Sequence, residues 1–256
     1  MTRELDLREP ARARLRLLAT LPQVPETLAP AVIATWHGRM VNEHGSARVF
    51  DAVADQLAAI GRADEAAQCR TFADEERSHG ASCGAVVEWA GGAALATIEV
   101  GRPLPVHADT TPRAAVIRNL LSIGCLAETV AVALIGAERL EMPDGPLREL
   151  LTSIWSDEIG HARFGWLYVA RALSELDAAE RDAVVRYLPI ALGSLEAHEV
   201  SHLPVNAPWP AGAARFGLCD GGDARTLFYE TVSDVIVPQL ETLGLPAVRA
   251  WQGRRI

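Results

Sequence analysis

Glu158 and His161, within Asp157-Glu158-Ile159-Gly160-His161, stand three positions apart. Three positions are close to one helical turn, so a helix would put this carboxylate and this imidazole on one face. So placed, they can bind one metal ion together. The spacing recurs as Glu76 and His79 in Glu75-Glu76-Arg77-Ser78-His79, and as Glu199 and His202 in His198-Glu199-Val200-Ser201-His202. A short motif of this kind also arises by chance. Where each copy sits in its helix therefore decides what it means.

The hydrophobic spacing predicts long helices around these motifs. The first spans about residues 31–60 and carries the stripe Trp36, Met40, Glu43, Ala47, Phe50, Ala54, Leu57, in alternating steps of four and three. Such a stripe is the buried seam of a helix packed on helices. Glu43 occupies a seam position, where an apolar residue belongs. The second, about 63–90, has the stripe Cys69, Phe72, Glu76, His79, Cys83, Val86, Ala90. Residues 93–112, with Gly101, Pro103, Pro105 and Pro112, read as a long irregular crossover with an extended piece at 96–100. A third helix begins near Pro112 after Thr110 and Thr111 and is apolar almost all round from Val116 to Leu140, with Glu128 in its middle. A lone buried carboxylate costs several kcal/mol or takes up a proton, so something should compensate it. The fourth, about 147–176, has the stripe Leu147, Leu151, Ile154, Glu158, His161, Gly165, Tyr168, Ala172. Shorter helices are expected over 8–20, 178–203 and 224–243. A loop rich in Pro and Gly joins the last two, and a short helix or tail closes the chain.

Four consecutive helices thus each aim polar groups into the seam: Glu43, then Glu76 with His79, then Glu128, then Glu158 with His161. Four carboxylates and two imidazoles at one level of a bundle core form a site for two divalent transition metals. The order E, E-x-x-H, E, E-x-x-H, each member in a seam, resembles the ferritin-like di-iron carboxylate superfamily over roughly residues 31–176. The resemblance implies an all-α, ferritin-like four-helix bundle with a long crossover between helices 2 and 3 and extra N- and C-terminal helices. It forms one domain over 1–256, with 177–256 as a helical extension. It further implies two Fe ions, with Mn or mixed Fe/Mn as alternatives, and O2 activation to hydroxylate, N-oxygenate or desaturate a small organic substrate, with an electron donor. The oxygen-activating branch often places an acid before the E-x-x-H glutamate, hydrogen-bonded to a ligand histidine, and Glu75 and Asp157 hold those places. Phe50, Phe72, Ile154, Trp155 and Phe164 would line the site. Two departures narrow the branch. Ala131 stands where rubrerythrins carry a further carboxylate, and a C-x-x-C is missing. Tyr168, Tyr187 and Tyr229 do not match a radical tyrosine. His44, beside Glu43, is an alternative to it that falls off the stripe.

Composition limits the other classes. Hydrophobic residues make up 49% of the 256, enough for a sizeable core, and the net charge of −9 disfavours a nucleic-acid surface. Cys69, Cys83, Cys125 and Cys219 are scattered, as expected for reduced thiols in a cytoplasmic protein. No apolar run reaches transmembrane length without a charge, and the start of the chain lacks a signal-peptide core. Homodimerisation fits a bundle of this type. Trp36, Trp89 and Trp155 read as core, and His37 and His107 as surface or loop residues.

The third motif also reads as H-E-x-x-H, in which His198 and His202 would bind zinc, Glu199 would be the general base and Glu230 a further ligand. A zinc peptidase is therefore the alternative enzyme, although no strand is evident beside the motif and Pro204 follows it at once. Glu199 or His202 touching the two-metal site is an intermediate reading. The plain one is that Glu196, His198 and Glu199 form a solvated helix face. A non-catalytic metal-binding or storage bundle is the third class.

Overall fold

The computed structural model describes residues 2–101, 104–203, 205 and 208–254. Pro103 of the expected crossover, Pro204 after the third motif and the last two residues of the tail lie outside them.

The described chain is helical, with two short strands. Strand β1 (Thr2–Asp6) leads into α1 (Arg8–Arg14) and a 3-10 turn (Leu15–Leu18). Then come α2 (Ala29–Ala59), α3 (Ala63–Trp89) and strand β2 (Leu95–Glu99). The helix over Pro112–Glu141 is composed of α4 (Pro112–Leu120), a π-helical stretch (Leu121–Ala127) and α5 (Glu128–Glu141). It is followed by α6 (Pro146–Ser174) and α7 (Ala178–His202). Helices α8 (Gly221–Thr231), α9 (Val237–Thr242) and α10 (Ala247–Gln252) end the chain, with a second π-helical stretch (Val232–Ile236) between the first two.

The chain itself writes these boundaries. Gly61 takes φ 78° between α2 and α3, a left-handed conformation that glycine adopts without strain. Thr111 caps α4 by accepting from the Ala114 amide, with Pro112 in the first turn. Asp177 and Glu180 form a reciprocal capping box at the start of α7.

The seams are buried as their spacing predicts. Trp36, Met40, Ala47, Phe50, Ala54 and Leu57 on α2 are fully buried, as are Cys69 and Cys83 on α3 and Leu151 on α6. The core falls into two apolar clusters. One holds Phe50, Leu57, Phe72, Leu120, Tyr168 and Phe228. The other holds Trp36, Met40, Val86, Ile135, Leu151 and Ile154. Helices α2, α3, α4–α5 and α6 each pass from one to the other, and the ligand residues lie at the crossing points. The order of passage gives direction: α2 and α6 run one way, and α3 and α4–α5 run the other. The segment between α3 and α4 therefore returns the chain along the length of the molecule.

The extended piece expected at 96–100 is β2. Its partner β1 was not expected, because Thr2–Asp6 lacks an apolar alternation; the two pair antiparallel with Leu5 opposite Ala96. By length and composition Pro112–Glu141 could cross a membrane; here it packs against α2, α6 and α7 and carries the buried Arg118, Asn119 and Glu128.

Buried polar anchors tie the crossover and the C-terminal helices to the core. Arg118 donates to both Asp109 carboxylate oxygens and to Ala183 O, and Asn119 bonds His107, Gln56 and Pro105 O. Glu196, expected on a solvated face, is instead buried and accepts from Arg254 and Tyr229, because α8 and α10 come back across α7. Glu180 accepts from Arg113, Thr111 Oγ1 and the Asp177 amide, so one carboxylate joins the starts of α4 and α7. The Arg113 and Thr111 hydrogen bonds hold its pKa down at about 2. A depressed carboxylate pKa stabilises the fold fully above the unfolded value of about 4.3, and that contribution is lost as pH falls towards the folded value. Glu180→Gln should lower the Tm at pH 7. It should also flatten the fall in wild-type Tm between about pH 4.3 and pH 2, which thermal melts across that window will read.

Candidate metal centre

The four seams meet where the two apolar clusters divide. Glu76, Glu128, Glu158, His79 and His161 are buried, and the Glu43 side chain is 12% exposed. Two quartets of donor atoms could each hold a metal ion: Glu43, Glu76, His79 and Glu158 in one, and Glu76, Glu128, Glu158 and His161 in the other. Glu76 and Glu158 belong to both.

Both imidazoles turn the same nitrogen inward. His79 Nδ1 lies 3.6 Å from Glu43, 3.9 Å from Glu76 and 3.5 Å from Glu158. His161 Nδ1 lies 3.2 Å from Glu76, 3.8 Å from Glu128 and 3.1 Å from Glu158. The outer nitrogens are held crosswise by the acids that precede the motif glutamates. His79 on α3 meets Asp157 on α6 at 2.9 Å, and His161 on α6 meets Glu75 on α3 at 2.9 Å. A carboxylate accepting from Nε2–H leaves Nδ1 as the ligand nitrogen and raises its basicity.

The donor set suits a cation. Glu76 Oε2 and His79 Nδ1 are buried with no hydrogen-bond partner among the described residues. Buried unpaired polar atoms are costly, and one ion between them satisfies both. Without metal, burial and then the neighbouring Glu158 charge push Glu76 and Glu128 well above the usual carboxylate range. Glu158 goes the other way: burial opposes it, but His161 and His79 hold its charge and depress its pKa. Burial works against charge on His79 too, yet Glu158 and Glu43 override it and raise the imidazole to about 11. His161 is raised likewise against burial by Glu128, Glu158 and Glu76. The metal-free cluster thus stores protons, which bound metal would displace.

Two local features set the geometry. The π-helical stretch ends just before Glu128. Each π turn holds an extra residue, which rotates the face presented by every later residue of the helix by about 100°. Within that stretch Gly124 meets Gly165 so closely that a Cβ on Gly124 would stand 2.7 Å from Gly165 Cα. This contact lies one turn from Glu128 on one helix and one turn from His161 on the other.

Phe50, Phe72 and Phe164 gather around His161, with ring centroids 5.2 Å (Phe50) and 4.5 Å (Phe72) from the imidazole and 5.3 Å between Phe72 and Phe164. Ile154 and Trp155 belong to the other apolar cluster. His44 lies in neither quartet, and its buried Nε2 has no hydrogen-bond partner among the described residues. His198, Glu199 and His202 are also in neither, and Glu230 is exposed. His37 bonds Leu95 O and is half-buried.

Sequence reasoning missed the Arg39–Glu138 pair, in which Glu138 is buried and Arg39 half-buried. Both residues follow an ordinary helical charge pattern, and a pairing between distant helices is not written in either one. Asp157→Asn should weaken metal binding roughly 10- to 100-fold, because the amide cannot accept from His79 as a charged oxygen does. Glu75→Gln should act equally on the other ion; competitive titration against a chelating dye measures both. Comparison with protein-family models, curated proteins and solved structures finds no match to this chain.

Proposed function

We propose that this chain is a ferritin-like, non-haem dinuclear oxidoreductase that activates O2 to oxidise a small organic substrate. The observation that carries the reading is the pair of quartets sharing Glu76 and Glu158, each with its own imidazole and its own terminal carboxylate. The opposed helix directions and the long return from α3 to α4 support the ferritin-like topology. Iron fits a mixed imidazole and carboxylate set, with manganese or a mixed pair as alternatives. Two iron ions held there would supply electrons and open coordination positions for O2.

The protein's own part rests on its residues. Glu76 and Glu158 can reach both ion positions and can shift between terminal and shared binding. Glu43 and Glu128 each serve one. Asp157 and Glu75 fix the histidine tautomers, and their side chains are 38% and 35% exposed, so each can pass a proton between the histidine edge and solvent. Phe50, Phe72 and Phe164 exclude water from the His161 side. An electron donor, a cytoplasmic location and a homodimeric assembly complete the proposal.

The test is to strip the protein of metal, reload it anaerobically with Fe(II), and follow O2 uptake with an external reductant. Repeated O2 consumption by wild type, absent in Glu158→Ala, supports the oxidoreductase. A single stoichiometric uptake followed by retained ferric iron indicates storage. Failure to bind about two ions per chain overturns the centre.

A further inference from the structure

We infer that His198 and His202 form a second, solvent-facing site for one divalent transition-metal ion, separate from the buried cluster. The two lie four residues apart near the end of α7, and their ring centroids are 4.4 Å apart with planes 43° to one another. Two imidazole nitrogens on one tetrahedral ion, at about 2.0–2.1 Å each, stand roughly 3.3 Å apart. Rings at the observed separation reach that with a small side-chain rotation.

The hydrogen bonds prepare one of them. His202 Nδ1 lies 2.8 Å from His198 O, and a carbonyl oxygen only accepts. Nδ1 therefore carries the proton and Nε2 the lone pair, which is the form that binds metal. Ser201 Oγ donates to the same carbonyl and lies 3.1 Å from His202 Nδ1, holding the ring in place. Arg225 donates to Val200 O inside the motif and to Leu203 O just after it, and so fixes the backbone there. His198 keeps both ring nitrogens free of hydrogen bonds among the described residues, and its side chain is 49% exposed. Glu199 sets a carboxylate oxygen 4.0 Å from His198 Nε2. Two imidazoles with a carboxylate nearby select zinc, nickel or copper over magnesium or calcium. The remaining positions on the ion face solvent and are open to an external ligand. The α6 motif would hold a metal between helices, whereas this one would chelate along a single helix.

Because the pair is exposed, an immobilised ion can reach it, whereas the buried cluster is closed to one. Untagged, metal-stripped protein should be retained on a Ni2+-iminodiacetate resin. His198→Ala and His202→Ala should elute in the wash, His37→Ala should stay bound, and Glu158→Ala should be retained like wild type. Titration of Glu158→Ala with Zn2+ should also show one ion per chain at this site, weakened on the order of tenfold or more by adding His202→Ala. Far-UV circular dichroism will confirm that the exposed substitutions leave the fold intact, with His202→Gln as the substitute if one does not. Passage of wild type through the resin, or zinc binding indifferent to both histidines, would overturn the site. Neither result depends on whether the buried centre reacts with O2.

Discussion

Gly165→Ala should destabilise the protein by about 3 kcal/mol or more and should strip it of metal. A Cβ at Gly165 would stand 2.5 Å from the backbone C and Cα of Gly124, and these atoms belong to a helix, not to a side chain that can swing aside. The helices must separate, and the contact is one turn from His161 and one turn from Glu128. Metal ligation tolerates only tenths of an ångström, so separation there moves Glu128 out of the quartet that it shares with His161. Gly124→Ala should behave alike, since its Cβ meets the same backbone. Gly160→Ala is the control. It lies between Glu158 and His161 in sequence, yet a Cβ there meets nothing within 4 Å. Removing a glycine from an open helical position stabilises by roughly 0.5–1 kcal/mol. Urea unfolding and metal content read the three variants together. A Gly165→Ala protein of wild-type stability with full metal would show that the close approach is not required.

Glu158→Ala should lose both ions, whereas Glu43→Ala and Glu128→Ala should each lose chiefly one. Glu76 and Glu158 donate to both quartets, and Glu43 and Glu128 to one each. Elemental analysis of each purified variant, expressed as ions per chain, separates the outcomes. Loss of one ion from Glu158→Ala would contradict the shared role. The stability of the same variants should depend on metal. In the metal-free protein burial and the Glu158 charge raise the Glu128 pKa, so Glu128→Gln, an amide of the same shape, should lower the Tm of the metal-free protein only slightly. In the metal-loaded protein the wild type gains about 2.7 kcal/mol for each site held at a hundred times its Kd, and the variant forfeits the share of the ion it no longer holds. Melts with and without metal should therefore coincide for Glu128→Gln far more closely than for wild type.

Much of this centre was legible in the chain. Seam positions at Glu43, Glu76, His79, Glu128, Glu158 and His161 identify groups that must lie inside, since helical spacing fixes which side a residue faces once the apolar stripe is known. The acids before each motif glutamate were also visible as neighbours of the cluster. The third motif was legible only as letters. The stripe Leu188, Leu192, Leu195 leads on to Glu199 and His202, yet His198 and His202 are both exposed, because no helix among the described residues covers their face of α7 as the seam register would require.

Burial of polar groups away from the stripes was not legible. Arg118, Asn119, Glu138, Glu180 and Glu196 are buried because separate segments cover them, and no local pattern records a cover supplied from a distant part of the chain. Strand β1 was missed for the same reason: Thr2–Asp6 becomes a strand because β2 offers it a ladder.

The sequence by itself determined the helices, the face that each turns inward and the six polar residues in those faces, because those depend on local periodicity and on the cost of burying an unpaired charge. Tertiary structure alone decided which donors are shared. It also decided that Asp157 serves His79 and Glu75 serves His161 across the α3–α6 contact, and that two glycines let the helices come close enough. Those outcomes depend on distances between helices, and interhelical distance is set by what packs between them rather than by the order of residues along any one.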